Sequence, residues 1–282
     1  VVGTSAIRIG TCGYSYEEWR GVFYPDKLPK GKFLEHYAAE FDTVELNATF
    51  YQLPALKSLE GMVRRTPPGF SFVVKAHQAL THQRGKAAEE MLPSFKMALK
   101  PFVDGGKLGG VLLQFPYSFK ANPPNATYVR ELVGRITGAP VIAEFRHKDW
   151  FVPDGIAWLK KHAISLCCVD EPELPNLPPP VAEVTGPVGY VRFHGRNRAA
   201  WWSPTAPDPS QPIGHDETGG RSPGERYRYH YRPDELEAWV PKVRAMAHEA
   251  SGQFAFFNNH PEGHAVRNAR DLKVLLGESH PR

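Results

Sequence analysis

The chain lacks what several function classes need. Only three of its 282 residues are cysteine, an odd number and too few for a disulfide framework. Cys167 and Cys168 stand side by side in an apolar run, where they serve as small buried hydrophobes. A reducing cytoplasm is the expected setting. No apolar run approaches the ~20 residues of a membrane-spanning helix; the longest, such as Val111–Leu113, have the length of a strand, so no membrane partner is expected. Val1–Ala6 has no basic start followed by an apolar stretch, so no secretory leader is expected either. The net charge is only +4, too mild for composition alone to indicate nucleic-acid binding. No Gly-rich dinucleotide loop follows the first apolar run, and no His-Glu-x-x-His metal motif occurs.

What is present is an ordinary soluble balance, with 41% hydrophobic and 23% charged residues. Short β-branched or aromatic runs alternate with amphipathic stretches, the pattern of repeated βα units. The runs are Ala6–Cys12, Thr43–Thr49, Phe70–Ala76, Gly109–Phe115, Pro140–Phe145, Ile164–Val169, Val188–Phe193 and Gln253–Phe257. Helices are expected over Phe33–Phe41, Ala55–Arg65, Glu89–Val103, Ala126–Ile136, Asp154–His162, Pro233–Ala250 and Ala265–Leu276. Eight strands with no dinucleotide loop favour a closed α/β barrel, a (β/α)8 TIM barrel, as one domain over 1–282. Two segments break the rhythm: Pro-rich Glu171–Pro187, and a long loop excursion at about 196–224 over the barrel mouth.

Strand side chains alternate in direction, so each strand has a helix-facing and an axis-facing set. Assigning the apolar set to the helices leaves Glu45 and Asn47 inward on the second strand, and Lys75 and His77 on the third. Gln114 follows on the fourth, Glu144 and Arg146 on the fifth, and Arg192 and His194 on the seventh. The sixth strand ends in Asp170 and the eighth in Asn258-Asn259-His260, whose parity is ambiguous. Polar residues thus converge on the C-terminal mouth, the face on which barrels of this kind carry function. The competing structural explanation pairs Glu45 with Lys75 and Glu144 with Arg192 as internal ion pairs.

The motifs match a known pattern. Ile9-Gly-Thr-Cys-Gly-Tyr-Ser-Tyr16 with Trp19 and Gly21-Val-Phe-Tyr-Pro25, Val44-Glu-Leu-Asn-Ala-Thr-Phe-Tyr51, Phe72-Val-Val-Lys-Ala-His77 running to Thr81-His82, and Leu112-Leu-Gln-Phe-Pro116 begin it. Ala143-Glu-Phe-Arg146 with Trp150, Tyr190-Val-Arg-Phe-His-Gly195, the Tyr227/Tyr229/Tyr231 run and Phe257-Asn-Asn-His260 complete it. With these the chain resembles the YecE-like family, TIM-barrel proteins catalogued as a domain of unknown function. Cys12 departs from the Ser usual there, and the insert around Trp201–Gly220 is longer than in a minimal member. The resemblance implies a TIM barrel in a bacterial cytoplasm, and implies no reaction. The family's likeness to endonuclease IV suggests nucleic-acid binding only by analogy of fold.

Among chemistries, a small anionic ligand leads. Lys75, Arg146, Arg192, His77 and His194 outnumber Glu45, Glu144 and Asp170, and guanidinium forks suit phosphate or carboxylate. Gln114, Asn47, Asn258 and Asn259 complete the ligand-binding set. In a hydrolase or lyase, Glu144 or His194 is the general base, with Arg192 facing developing negative charge. Lys75 joins them as a candidate catalytic group, but as an anion clamp rather than a Schiff-base amine, because nearby acids hold its proton. No cofactor and no metal are expected: His77, His194, His260, Glu45, Glu144 and Asp170 are interleaved with cations that repel a metal ion. Glycoside hydrolysis by Glu45 and Glu144 fits poorly, since the fourth and seventh strands end in Gln114 and Arg192. The alternative partner is nucleic acid, either as an endonuclease IV-like metal-dependent phosphodiesterase or through Arg226-Tyr-Arg-Tyr-His-Tyr-Arg232 with Trp201 and Trp202. The strict alternation favours a strand with Tyr227, Tyr229 and Tyr231 packed and the arginines wet. Trp19, Phe23 and Tyr24 are expected as an aromatic lid or plug, and removal of Arg192 is expected to leave the fold intact.

Overall fold

A computed structural model of the chain describes residues 5–202 and 224–277. Eight parallel strands follow one another around a single sheet: β1 (Ile7–Thr11), β2 (Thr43–Leu46), β3 (Ser71–Lys75), β4 (Leu108–Gln114), β5 (Val141–Glu144), β6 (Ser165–Asp170), β7 (Val188–Phe193) and β8 (Gly252–Phe257). Helices return the chain between most of them: α1 (Phe33–Ala38), α2 (Ala48–Tyr51), α3 (Leu56–Arg64), α4 (Gly85–Asp104), α5 (Pro123–Arg135), α6 (Pro153–Lys161), α7 (Pro233–Glu237), α8 (Val240–Glu249) and α9 (His264–Leu276). This is the expected single-domain TIM barrel. Helix α4 shows why such segments are helical: Ala88, Leu92, Phe95, Leu99 and Phe102 recur at three- and four-residue spacing and form its buried stripe. The expected helix over Pro233–Ala250 is two, α7 and α8, joined at Ala238 and Trp239.

Two apolar layers result. Phe72, Val74, Val111, Leu113, Ala143, Phe145, Val191 and Phe193 face the helices, while Val73, Leu112, Ile142, Cys167, Tyr190, Phe254 and Phe256 fill the barrel. The β6–β7 connection, read as extended, is irregular and carries no helix. The excursion at 196–224 lies mostly outside the described residues. Trp19, Phe23 and Tyr24, expected as a lid or plug, join the outer layer. Phe23 and Tyr24 pack among Phe33, His36 and Tyr37, with Tyr24 stacked on Phe33 at 3.8 Å. Trp19 packs on both Phe23 and Tyr24, while its Nε1 donates to His260 O at 2.9 Å. The tyrosine run is not a sheet strand. Tyr231 is buried while Arg228 and Arg232 are exposed, yet residues 228–232 carry no regular secondary structure.

The barrel is nearly closed. Between β1 and β2 the ladder shrinks to one bridge, Cys12 opposite Glu45, with Gly13 N donating to Glu45 O at 2.8 Å. Below it the Tyr37 hydroxyl enters the seam, accepting from Thr11 N at 2.9 Å and donating to Thr43 O at 3.0 Å. Gly10 makes this approach possible, since a Cβ there would stand 2.3 Å from Thr43 O. Tyr37→Phe removes the bridge and strands a buried N–H and C=O. We expect it to cost about 1–3 kcal/mol in urea unfolding. A variant as stable as wild type would show that the seam needs no such link.

Candidate functional site

The C-terminal mouth holds a charged cluster built on five strand ends. Its floor is Arg192, which is 1% exposed and joins two carboxylates that are fully buried. One guanidinium nitrogen meets Glu144 Oε2 at 2.5 Å and another meets Glu45 Oε1 at 2.8 Å. Tyr190 donates its hydroxyl to the other Glu45 oxygen at 2.6 Å. Cys12 Sγ lies 3.4 Å from the same Arg192 nitrogen that holds Glu45. Burial works to raise the Glu144 pKa, but the guanidiniums of Arg146 and Arg192 outweigh it and hold the carboxyl well below its usual range.

His194 stands beside this pair, Nε2 at 3.3 Å from Glu144 Oε1. Asn258 Nδ2 lies 3.0 Å from His194 Nδ1, which fits a neutral ring accepting there. Burial first, and then the charge of Arg146, push the imidazole down to about 3. The contact with Glu144 is therefore not an ion pair near neutral pH. An unfolded histidine takes up its proton near 6.5. With the folded value lowered, the unfolded chain binds the extra proton, and this stability is lost as pH falls from about 6.5 toward 3. We expect the free-energy gap between wild type and His194→Gln to shrink by up to about 1.4 kcal/mol per pH unit over the upper part of that window. Urea unfolding at stepped pH measures it, and a gap that ignores pH would mean His194 is charged in the fold.

Above the floor sit the groups that reach the opening. Arg146, 8% exposed, places Nε 2.7 Å from Glu144 Oε1 and a terminal nitrogen 3.3 Å from Glu171 Oε2. Burial lifts the Glu171 carboxyl to about 8 despite that arginine, so it stays largely protonated at neutral pH. Lys75, also 8% exposed, has no carboxylate within 4.0 Å among the described residues; its Nζ lies 4.2 Å over the Phe50 ring. Burial and then Arg192 lower the amine to about 7, although Glu144 and Glu45 pull the other way. The expectation that nearby acids would hold the Lys75 proton therefore reverses: those acids already face arginines.

Several buried polar atoms of this cluster lack an aligned hydrogen-bond partner among the described residues: Asn47 Oδ1, Gln114 Nε2, Glu144 Oε1, Arg146 Nε, Glu171 Oε1 and His194 Nε2. The short Arg146 approach to Glu144 Oε1 is thus a charge contact rather than a directed hydrogen bond, and the neutral His194 ring faces the same oxygen with its Nε2–H out of line. Buried polar groups are ordinarily satisfied, so a concentration of open ones marks a place built for something polar.

Asn47 directly follows β2 and precedes α2, because the chain turns helical at Ala48 instead of continuing to Thr49 as a strand. Other sequence candidates sit elsewhere. His77 is consumed by its own turn, accepting from Ala79 N at 3.1 Å and lying 3.2 Å from Tyr51 O. Asn259 points away from the axis, donating to Tyr229 O and to Asn268 Oδ1, and so leaves the ligand-binding set. Asp170 also faces outward, held by Arg196, Trp239 Nε1 and the Tyr231 hydroxyl. His260 Nδ1 turns to Glu18. Among the described residues no three His, Cys, Asp or Glu side chains gather as a metal-ligand group. The expected Glu45–Lys75 pair does not form, and Glu45 pairs with Arg192 across the barrel. Sequence reasoning missed Tyr190 and Glu171. Both lie two residues from an inward position, Arg192 and Val169, so strand parity alone pointed to them.

Two open grooves lie between helices outside the barrel, one of about 570 Å³ walled by α4 and α5 and another of about 670 Å³ beside α5 and α6. Neither touches the charged cluster, which we take as the candidate site on chemistry rather than volume. No helix among the described residues is long and apolar enough to cross a membrane.

Comparison with known proteins agrees with the architecture. The family described as "Protein of unknown function DUF72" matches residues 8–282. The UPF0759 protein YunF of Bacillus subtilis is 32% identical, over 96% of this chain and 94% of its own. The crystal structure of a DUF72 family protein from Thermotoga maritima superposes with a TM-score of 0.84 at 34% identity, covering 96% of this chain and 99% of that one. One from Enterococcus faecalis gives 0.83 at 27% identity, covering 98% and 97%. These matches carry the family at the level of DUF72 and do not carry the narrower YecE-like label. Fold, residues 8–282 and a full-length relative together assign the chain to the DUF72 family.

Proposed function

We propose that the C-terminal mouth binds a small anion, a phosphorylated or carboxylate compound, with Lys75 and Arg146 as its charged contacts and Gln114 and Asn47 as neutral ones. The observation that carries this reading is Lys75, a cation-forming group at the opening with no carboxylate of its own among the described residues. Three basic groups share the mouth with two carboxylates that face arginines, and the third carboxyl, Glu171, is held protonated. An incoming anion balances that surplus. Arg192 belongs to the floor and acts on a ligand only through its field.

Within this reading the catalytic assignments of Glu144 and His194 weaken. A carboxylate held by two guanidiniums and an imidazole pushed to about 3 are both poor bases at neutral pH. Lys75, near 7, is the better placed proton carrier if the site is a hydrolase or lyase. Nucleic acid is the weaker partner. Arg228 pairs with Glu225 and Glu262, Arg232 with Asp234, and Arg196 with Asp170 and Glu235, so these cations already have counter-charges. An endonuclease-like metal centre is disfavoured by the arginines that occupy Glu45 and Glu144. A cytoplasmic setting suits three unpaired buried thiols.

Salt separates the partners. Phosphate binding by calorimetry should weaken only modestly between about 50 and 200 mM salt, because the contacts are largely buried. A polymer clamped at six or more phosphates would lose on the order of a thousandfold over that range. Tight binding of single-stranded DNA with that steep slope, and none of phosphate, would overturn the reading.

A further inference from the structure

Guanidinium keeps its proton in proteins, whereas an amine can give its proton up. In this mouth the arginines have taken the carboxylates. Arg192 holds one oxygen each of Glu45 and Glu144, Tyr190 takes the second Glu45 oxygen, and Arg146 stands at the second Glu144 oxygen. The charge shortfall therefore falls on Lys75. Its backbone is fixed, with Thr49 Oγ1 donating to Lys75 O at 2.6 Å, and its Nζ sits on the Phe50 ring rather than on an acid. These are the conditions under which an amine in a barrel mouth becomes a nucleophile: desolvated, flanked by other cations and, among the described residues, without a carboxylate to hold its proton.

We propose that Lys75 forms an imine with a small carbonyl compound that also carries a carboxylate or phosphate. This rests on the anion reading above and names its substrate class. The Nζ lone pair attacks the carbonyl carbon, a C–N bond forms, and the carbonyl oxygen becomes a hydroxyl by taking a proton that nitrogen loses. The carbinolamine then sheds that hydroxyl with the remaining nitrogen proton as water, so the C–O bond breaks and C=N forms with no change in oxidation state. Arg146 meets the anionic group. The amine near 7 leaves a sizeable neutral fraction at physiological pH.

The test uses the full chain with glyoxylate and cyanoborohydride, which reduces the C=N bond to a stable secondary amine, followed by peptide mass spectrometry. Lys75 should be modified on the order of tenfold faster than exposed Lys86, and saturating phosphate should suppress this. Lys75→Arg should keep a melting response to phosphate and lose the fast adduct. If phosphate raises the melting temperature while Lys75 reacts no faster than Lys86, the imine is overturned and the anion site stands. If Lys75 reacts fast but neither phosphate suppression nor a melting response occurs, the anion site fails and the carbonyl substrate loses its charged group.

Discussion

Arg192→Ala should destabilise the barrel by about 3–5 kcal/mol, the cost of leaving buried carboxylates without their cation. Glu45 and Glu144 are both fully buried, and Arg192 is the residue that bridges them. For a domain whose whole stability is about 5–15 kcal/mol, that is a large share. The sequence-based expectation that this residue could be removed with the fold intact does not survive this geometry. Urea unfolding of Arg192→Ala measures the loss. Adding Glu45→Gln and Glu144→Gln to Arg192→Met should recover most of it, because a neutral floor has no charge to strand. If Arg192→Ala unfolds like wild type, the floor is wetter than its burial implies, and Arg192 is free to act on a ligand directly.

The second large effect concerns Lys75. Lys75→Met preserves the length of the side chain over Phe50 and removes the amine. Because the amine has no ion pair to break, the apo fold should be unharmed or slightly stabilised, while anion binding should fall at least about tenfold. The same logic predicts little effect of Arg228→Ala with Arg232→Ala, whose charges are exposed and locally paired.

Strand parity explains how much was legible in the sequence. In β3, β5 and β7 the apolar residues Val74, Ala143 and Val191 mark the helix side, so Lys75, Glu144 and Arg192 had to face the axis. The same counting, carried one residue further, places Asp170 on the side of Cys168 and Asn259 on the side of Phe257, both outward. Their acidic or amide character drew them into the site against their parity. The end of β2 was misjudged for another reason: β-branched Thr49 suggested a longer strand, whereas its hydroxyl serves to tie α2 to the end of β3. Pairings across the axis were beyond the sequence. Which of Lys75 and Arg192 reaches Glu45 depends on which strands oppose each other and on side-chain reach, and alternation along one strand contains neither. The protonation of Glu171 and Lys75 follows from those pairings and was equally hidden.

The central claim is that Lys75 is an uncommitted positive group awaiting an anion, and melting temperature against phosphate concentration tests it most directly. Wild type should gain on the order of 2.7 kcal/mol of stability at a hundredfold excess over its dissociation constant, visible as a rise of several degrees. Lys75→Met should melt at or above the wild-type temperature without phosphate and gain at most about half the wild-type stabilisation with it, the result of a tenfold or greater loss of affinity. A rise in Lys75→Met equal to that of wild type would contradict the account.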